Sequence, residues 1–356
     1  MGSGGSKPPF EHFLSTMTLM YPPALARLFA PLVLAFALIV GAVAPSQAQV
    51  TIFSPFNIEG AMDAGVRKHA NLPYADGDRK KLDIYRPEDT SGGPAPVVMF
   101  IYGGAWRAGD KFEYEFVGRA LAANGFVVVI PDYRLWPEAK YPDFLEDNAQ
   151  AMKWVEDNIA GYGGDRTRFF LAGHSAGAYN AVMLSLDSSF RQEYGVTMPI
   201  RAVAGLSGPY NFYPFEYGEV RETFGVAPNP EGTQPVNLVT SAAPPMLLVS
   251  GTTDPIVRRQ NTEALAGRLR AQGIWVTEKY YDGIGHLEPV IAMGMLMRWR
   301  LPVLKDVVDF FQTFGAFPSG VPRPVFTPEP PVQDPMQAML SDLDAALDPI
   351  TTQPID

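Results

Sequence analysis

The sequence predicts an α/β protein: a mostly parallel central sheet covered by helices on both faces. Three observations carry this. Val127, Val128, Val129 and Ile130 stand in an unbroken apolar row, the pattern of a strand buried on both sides. Strand-length apolar runs alternate with longer helical stretches from residue 81 to residue 314, the rhythm of βαβ units. Gly173-His174-Ser175-Ala176-Gly177 joins the apolar run Phe169-Phe170-Leu171-Ala172 to a helix-compatible stretch, which places a serine on a tight turn between a strand and a helix.

Residues 81–85 and 97–101 read as strands, and 112–124 as a helix ended by Gly125. Residues 126–131 form the buried strand. A helix follows at 143–159, and a strand at 168–172 leads into the serine turn. Residues 202–206 and 246–250 are further strands. A helix at 259–271, a strand at 275–281 and a closing helix at 303–314 complete the alternation. The segment 208–236 interrupts it with Tyr210, Phe212, Tyr213, Phe215, Tyr217 and Phe224. These aromatics either line an acyl or aryl pocket or tuck onto the core. Tyr210 and Phe212 are the candidate substrate-binding residues there, with Trp106 as the opposite wall. Met293, Met295 and Met297 fit the core of a helix.

A serine nucleophile needs a base and a group to orient that base. The chain has four histidines. His12 falls in a segment expected to be removed, His69 lies upstream of the core, and His174 sits beside the serine with its side chain directed away. His286 remains, on the glycine-bearing loop Asp282-Gly283-Ile284-Gly285. The acid belongs between Ser175 and His286. Asp254 follows the strand at 246–250, where open α/β sheets build their sites. Asp282 is the rival, four residues before the base on the same loop. Backbone N–H donors for a developing oxyanion are expected at Ala176, after the nucleophile, and at Gly103 and Gly104, after the strand at 97–101.

Tyr102-Gly103-Gly104-Ala105-Trp106, Asp132-Tyr133-Arg134-Leu135, Gly173-His174-Ser175-Ala176-Gly177, Gly251-Thr252-Thr253-Asp254 and Gly285-His286 occur in that order. In this the chain resembles α/β-hydrolase-fold serine esterases of the hormone-sensitive-lipase-like and feruloyl-esterase-like (BD-FAE) type, which are close to kynurenine formamidases. The resemblance covers about residues 65–315. It implies a triad of Ser175, Asp254 and His286, an oxyanion hole at Gly103, Gly104 and Ala176, a small-molecule ester substrate and no cofactor. That family usually has His where Tyr102 stands. The alternatives are an aryl formamidase with the same triad, and a secreted non-catalytic binding protein on the same fold.

Hydrophobic residues make up 47% of the 356-residue chain and charged residues 19%, an ordinary globular balance. The net charge of −10 argues against a nucleic-acid partner. The absence of cysteine excludes disulfides and thiolate metal sites. The sequence carries no His-rich metal constellation, and no metal is expected. Residues 28–44 are free of charge, Arg27 precedes them, and Ser46-Gln47-Ala48 supplies small residues. This reads as a signal peptide over 1–48, hence export to the periplasm or medium. The alternative is a membrane anchor, with weak membrane association if the segment stays uncleaved. The catalytic domain then spans 49–315. Residues 316–356 form a proline-rich tail with six acidic residues and one arginine, half of the net negative charge. Asp334-Pro335 caps a short helix there, with Met336, Leu340, Leu343 and Leu347 at helical spacing. It packs on its own domain or serves a partner.

Overall fold

The computed structural model describes residues 65–315 except Thr90, together with Phe53, Asn57 and Asp63. The expected signal segment and acidic tail lie outside the described residues. One sheet is formed by β1 (Val66–Pro73), β2 (Lys81–Pro87), β3 (Ala95–Ile101), β4 (Val127–Pro131), β5 (Gly164–His174), β6 (Ile200–Leu206), β7 (Met246–Gly251) and β8 (Val276–Tyr281). The spatial order is β1-β2-β4-β3-β5-β6-β7-β8. β2 is antiparallel to β1 and β4, and every other pairing is parallel.

The helices are α1 (Glu115–Ala123), α2 (Asp143–Asn158), α3 (Ala176–Leu186), α4 (Ser188–Glu193), α5 (Gly218–Phe224), α6 (Gln260–Ala271), α7 (Glu288–Ile291) and α8 (Val303–Gly315). α1 and α8 touch each other, as do α2, α3 and α4, two groups of the kind that right-handed crossovers place on opposite faces of such a sheet. α8 buries Val303, Leu304, Val307, Val308, Phe310, Phe311 and Phe314, a stripe at helical spacing. Phe311 stacks on Phe170 of β5 with centroids 4.6 Å apart. The apolar row of β4 is fully covered, as two-sided burial requires.

Two elements differ from the sequence reading. β1, an edge strand carrying Arg67, Lys68 and His69, has too little apolar alternation to announce itself; its charges suit a sheet edge. Helix α1 starts at Glu115 and not at residue 112. Asp110 Oδ1 accepts the Phe112 N–H at 2.7 Å and Asp132 Oδ1 accepts the Lys111 N–H at 2.9 Å, so the preceding residues are held in turns.

The strand order reverses between β3 and β5, because the chain lays β4 on one side of β3 and β5 on the other. Open α/β sheets form a crevice at such a switch point, beyond the carboxyl ends of the strands. Ile101 is in register with Gly173, so the loop after β3 and the turn after β5 leave the sheet side by side.

Candidate active site

Ser175 sits directly after β5 and caps α3 with φ 54° and ψ −123°. A non-glycine residue there stores about 1–3 kcal/mol of strain. The surroundings hold it in place. Its N–H donates to the Leu206 carbonyl at 2.8 Å, and its own carbonyl accepts from Tyr179 N–H at 3.1 Å. The flanking glycines are sterically required. A Cβ on Gly173 would lie 2.3 Å from the Gly177 carbonyl oxygen, and one on Gly177 would lie 2.0 Å from that of Ile101.

His286 Nε2 lies 2.9 Å from Ser175 Oγ, and His286 Nδ1 lies 2.7 Å from Asp254 Oδ2. All three residues are buried. The other Asp254 oxygen accepts the Ile256 and Val257 N–H groups, both at 2.9 Å. The carboxylate is therefore aimed at the imidazole and satisfied behind it. With Nδ1–H donating to Asp254, Nε2 is left to accept from the serine hydroxyl. The loops that carry Asp254 and His286 are stitched together by the Ile284 carbonyl, which accepts from Thr253 N–H at 3.1 Å and Thr253 Oγ1–H at 3.0 Å. Asp282 is engaged elsewhere, accepting from Thr252 Oγ1–H at 3.1 Å.

The loop after β3 is strained and firmly seated. Gly104 has φ +122°, and a Cβ there would lie 2.1 Å from the Ala108 carbonyl oxygen. Ala105 and Trp106 also adopt positive φ, 52° and 59°. Tyr102, at the position where the resembled family has His, is fully buried and stacks on Tyr133 at 4.6 Å. Its hydroxyl accepts from Arg79 Nη2–H at 2.7 Å and from Tyr133 N–H at 3.3 Å. Its carbonyl accepts from Tyr133 O–H at 2.8 Å. Arg79 also donates to the Tyr133 and Gly109 carbonyls, at 2.8 and 2.7 Å. Arg134 donates from Nε–H and Nη2–H, one edge of its guanidinium, to the two Asp147 carboxylate oxygens at 2.9 and 2.8 Å. The Asp132-Tyr133-Arg134 motif is thus the seat of this loop.

The three expected oxyanion donors differ in their partners. The Gly103 N–H points to the Tyr114 hydroxyl at 3.4 Å, so it is committed within the protein. The N–H groups of Gly104, Ala105 and Ala176 have no protein acceptor among the described residues. Ala105 was not legible as a donor, because nothing but its place after two glycines marks it.

Of the three candidate substrate-binding residues, two lie in the interior. Tyr210 is fully buried, its hydroxyl packed against the backbone of Gly205 and Gly208. Trp106 is 4% exposed; its indole N–H donates to Asn180 Oδ1 at 3.0 Å, and its ring packs on Phe224 and Tyr179 at 4.7 and 5.2 Å. Both are interior packing. Phe212 is half-buried, 6.2 Å from the Trp106 ring, with its N–H held by Gln234 Oε1. Met293, Met295 and Met297 lie in turns beyond α7 and not in a helix; Met293 is buried and Met295 exposed.

His174 does not touch Ser175 Oγ, yet it stands beside His286, ring centroids 5.1 Å apart. Burial, then the neighbouring His286 ring, push its pKa down to about 3, against the opposing bond to the His286 carbonyl. It is therefore neutral at neutral pH. His69 lies in β1, where Arg86 Nε–H donates to its Nε2 at 3.3 Å. Among the described residues no cluster of three His, Asp or Glu could hold a metal, and no helix is long and apolar enough to cross a membrane.

An eight-stranded, mostly parallel sheet flanked by helices, with a nucleophile-elbow turn at its switch point, defines an α/β-hydrolase-fold protein. The chain belongs to the BD-FAE family, whose model matches residues 82–269. A probable isoprenylcysteine alpha-carbonyl methylesterase of Oryza sativa subsp. japonica is 30% identical over 257 residues, covering 66% of this chain and 62% of that protein. A kynurenine formamidase of Salmo salar is 29% identical over 246 residues, covering 63% of this chain and 81% of that protein. The crystal structure of esterase B from Lactobacillus rhamnosis superimposes with a TM-score of 0.64 at 20% identity, covering 74% of this chain and 90% of that one. The chain spans about three fifths of the length of the plant relatives it matches.

Proposed function

We propose that this chain is a serine carboxylic-ester hydrolase acting on small or aromatic acyl esters. The reading is carried by one observation: the His286 ring bridges Ser175 Oγ and Asp254 Oδ2 at 2.9 and 2.7 Å. In the first step His286 Nε2 takes the serine proton as Oγ attacks the acyl carbonyl. Asp254 holds the imidazole tautomer and stabilises the imidazolium. The N–H groups of Gly104, Ala105 and Ala176 receive the oxyanion. His286 then gives its proton to the departing alkoxide, leaving an acyl-serine. Water, deprotonated by the same nitrogen, releases the acid. The plant relative's name, a methylesterase, and that of esterase B support an ester as the bond cleaved. Phe212 and the neighbouring half-buried Phe215 support an apolar acyl or aryl group.

The test is turnover of p-nitrophenyl esters from acetate to palmitate. We expect a maximum at short chains; a maximum at palmitate contradicts the small-acyl assignment. A second reading, aryl formamidase, is favoured by the fish relative, most of whose length this chain covers. Hydrolysis of N-formylkynurenine faster than of any ester selects it. The export reading depends on residues 1–48, and a shortened mature protein beginning near Gln49 in the periplasm or medium is its expected outcome.

A further inference from the structure

We propose that His174, acting with Tyr114, is a positioning residue that holds the base loop and the oxyanion loop in register about Ser175. The inference rests on the serine-hydrolase reading above. Three elements that must be aligned for acyl transfer come from separate parts of the chain: the loop after β3, the elbow after β5 and the loop after β8. His174 touches all three. It is the residue before the nucleophile. Its Nε2 is 3.1 Å from the main-chain carbonyl of His286. Its Nδ1 is 3.2 Å from the Tyr114 hydroxyl, which in turn accepts the Gly103 N–H at 3.4 Å.

The chemistry admits one consistent direction along this chain. A carbonyl only accepts, so His174 Nε2 carries the proton and donates to His286 O. A neutral imidazole then presents Nδ1 as an acceptor, and the Tyr114 O–H donates to it. The hydroxyl's lone pair is left for Gly103 N–H. Every atom of the relay is buried: His174 is 1% and Tyr114 3% exposed. Water cannot substitute for a lost partner. The fit is close as well, since a Cβ on Gly103 would lie 3.0 Å from both His174 Nδ1 and Ser175 Cβ. Tyr114 is braced by Tyr102 at 5.9 Å, Phe100 at 5.8 Å and Phe53 at 4.9 Å. The neutral state of His174 is required for this polarity. A protonated ring would turn Nδ1 into a second donor facing Tyr114.

The experiment measures kcat and KM for p-nitrophenyl butyrate on wild type, His174→Ala, His174→Gln, Tyr114→Phe and the His174→Ala/Tyr114→Phe double variant. A displaced base or oxyanion loop costs turnover without weakening ground-state binding, so we expect kcat lower by about 10- to 100-fold in His174→Ala, with KM changed by less than about threefold. Tyr114→Phe lowers kcat in the same way, and the double variant is no worse than the more impaired single, because both cut one relay. His174→Gln, whose amide donates and accepts along the same line, recovers most of the turnover. Wild-type kcat in His174→Ala or Tyr114→Phe, multiplicative losses in the double variant, or a Gln variant as impaired as Ala overturns the proposal. If His174→Ala does not fold, Tyr114→Phe and His174→Gln decide by the same criteria. Ser175→Ala is measured alongside. Turnover surviving in it sinks the serine-hydrolase reading; turnover lost there but unchanged in the relay variants sinks only this proposal.

Discussion

Gly177 lies so close to Ile101 that a methyl group on it would stand 2.0 Å from the Ile101 carbonyl oxygen and 2.4 Å from that of Tyr102. The elbow helix α3 therefore rests on the carboxyl end of β3 through bare backbone. Gly177→Ala pushes Ser175 away from the loop after β3, the proposed oxyanion loop. We expect a loss of stability of about 3 kcal/mol or more and loss of turnover. Gly267 makes the contrast: it is exposed within α6, and a Cβ there meets nothing within 4 Å. Gly267→Ala should stabilise by about 0.5–1 kcal/mol, measured by urea denaturation of both variants.

Asp254→Asn tests the orientation of the base. The asparagine oxygen can still accept from Ile256 and Val257 N–H, which turns its NH₂ towards His286 Nδ1. The imidazole is then driven to carry its proton on Nε2, facing Ser175, where it cannot act as a base. We expect kcat to fall by about 10⁴-fold, the size of effect a wrong tautomer produces in such triads, with an unchanged melting temperature. A loss of less than tenfold contradicts the role given to Asp254.

Tyr102→Phe removes a hydroxyl that accepts from both Arg79 and Tyr133 N–H. The Tyr133 amide is buried and loses its acceptor, costing about 1–3 kcal/mol. Arg79 keeps two carbonyls, so the loop loosens and does not collapse. Thermal unfolding should report the loss, and kcat should fall more than KM rises.

The pKa of His174 gives a pH signature. Its folded value is lowered to about 3 from 6.5, so below pH 6.5 the unfolded chain binds a proton that the folded chain does not. The His174 contribution is fully present above 6.5 and is lost as the pH drops towards 3, by up to about 1.4 kcal/mol per unit. Glu113 works the other way: burial, then Asp110, raise it to about 7, so it adds stability as pH falls from 7 to 4.5. That contribution is common to wild type and His174→Gln. The difference between their urea midpoints at pH 7, 6, 5 and 4 isolates His174. A constant difference across the range contradicts the assignment.

Much of the site was legible because its chemistry is local or ordered. The elbow announces itself in five consecutive residues, Asp254 follows a strand whose apolar run is plain, and His286 stands on a glycine-bearing loop as the one histidine left by elimination. What was hidden depends on tertiary approach. Tyr114 and Arg79 carry no motif, and their roles exist only because α1 and the β1–β2 connection fold back onto the loop after β3. Ala105 is silent because its backbone, not its side chain, is what the site would use. Tyr210 and Trp106 have the composition of a pocket wall and the burial of a core; only the Gly205–Gly208 backbone and the Asn180 amide decide between the two.

The most direct measurement is hydrolysis of p-nitrophenyl butyrate by wild type and Ser175→Ala, with fluorophosphonate labelling of both. We expect turnover and labelling in the wild type, and loss of both in a variant that retains its circular dichroism spectrum. Ester hydrolysis persisting in Ser175→Ala, or a wild type that neither turns over any ester nor takes the label, would contradict it.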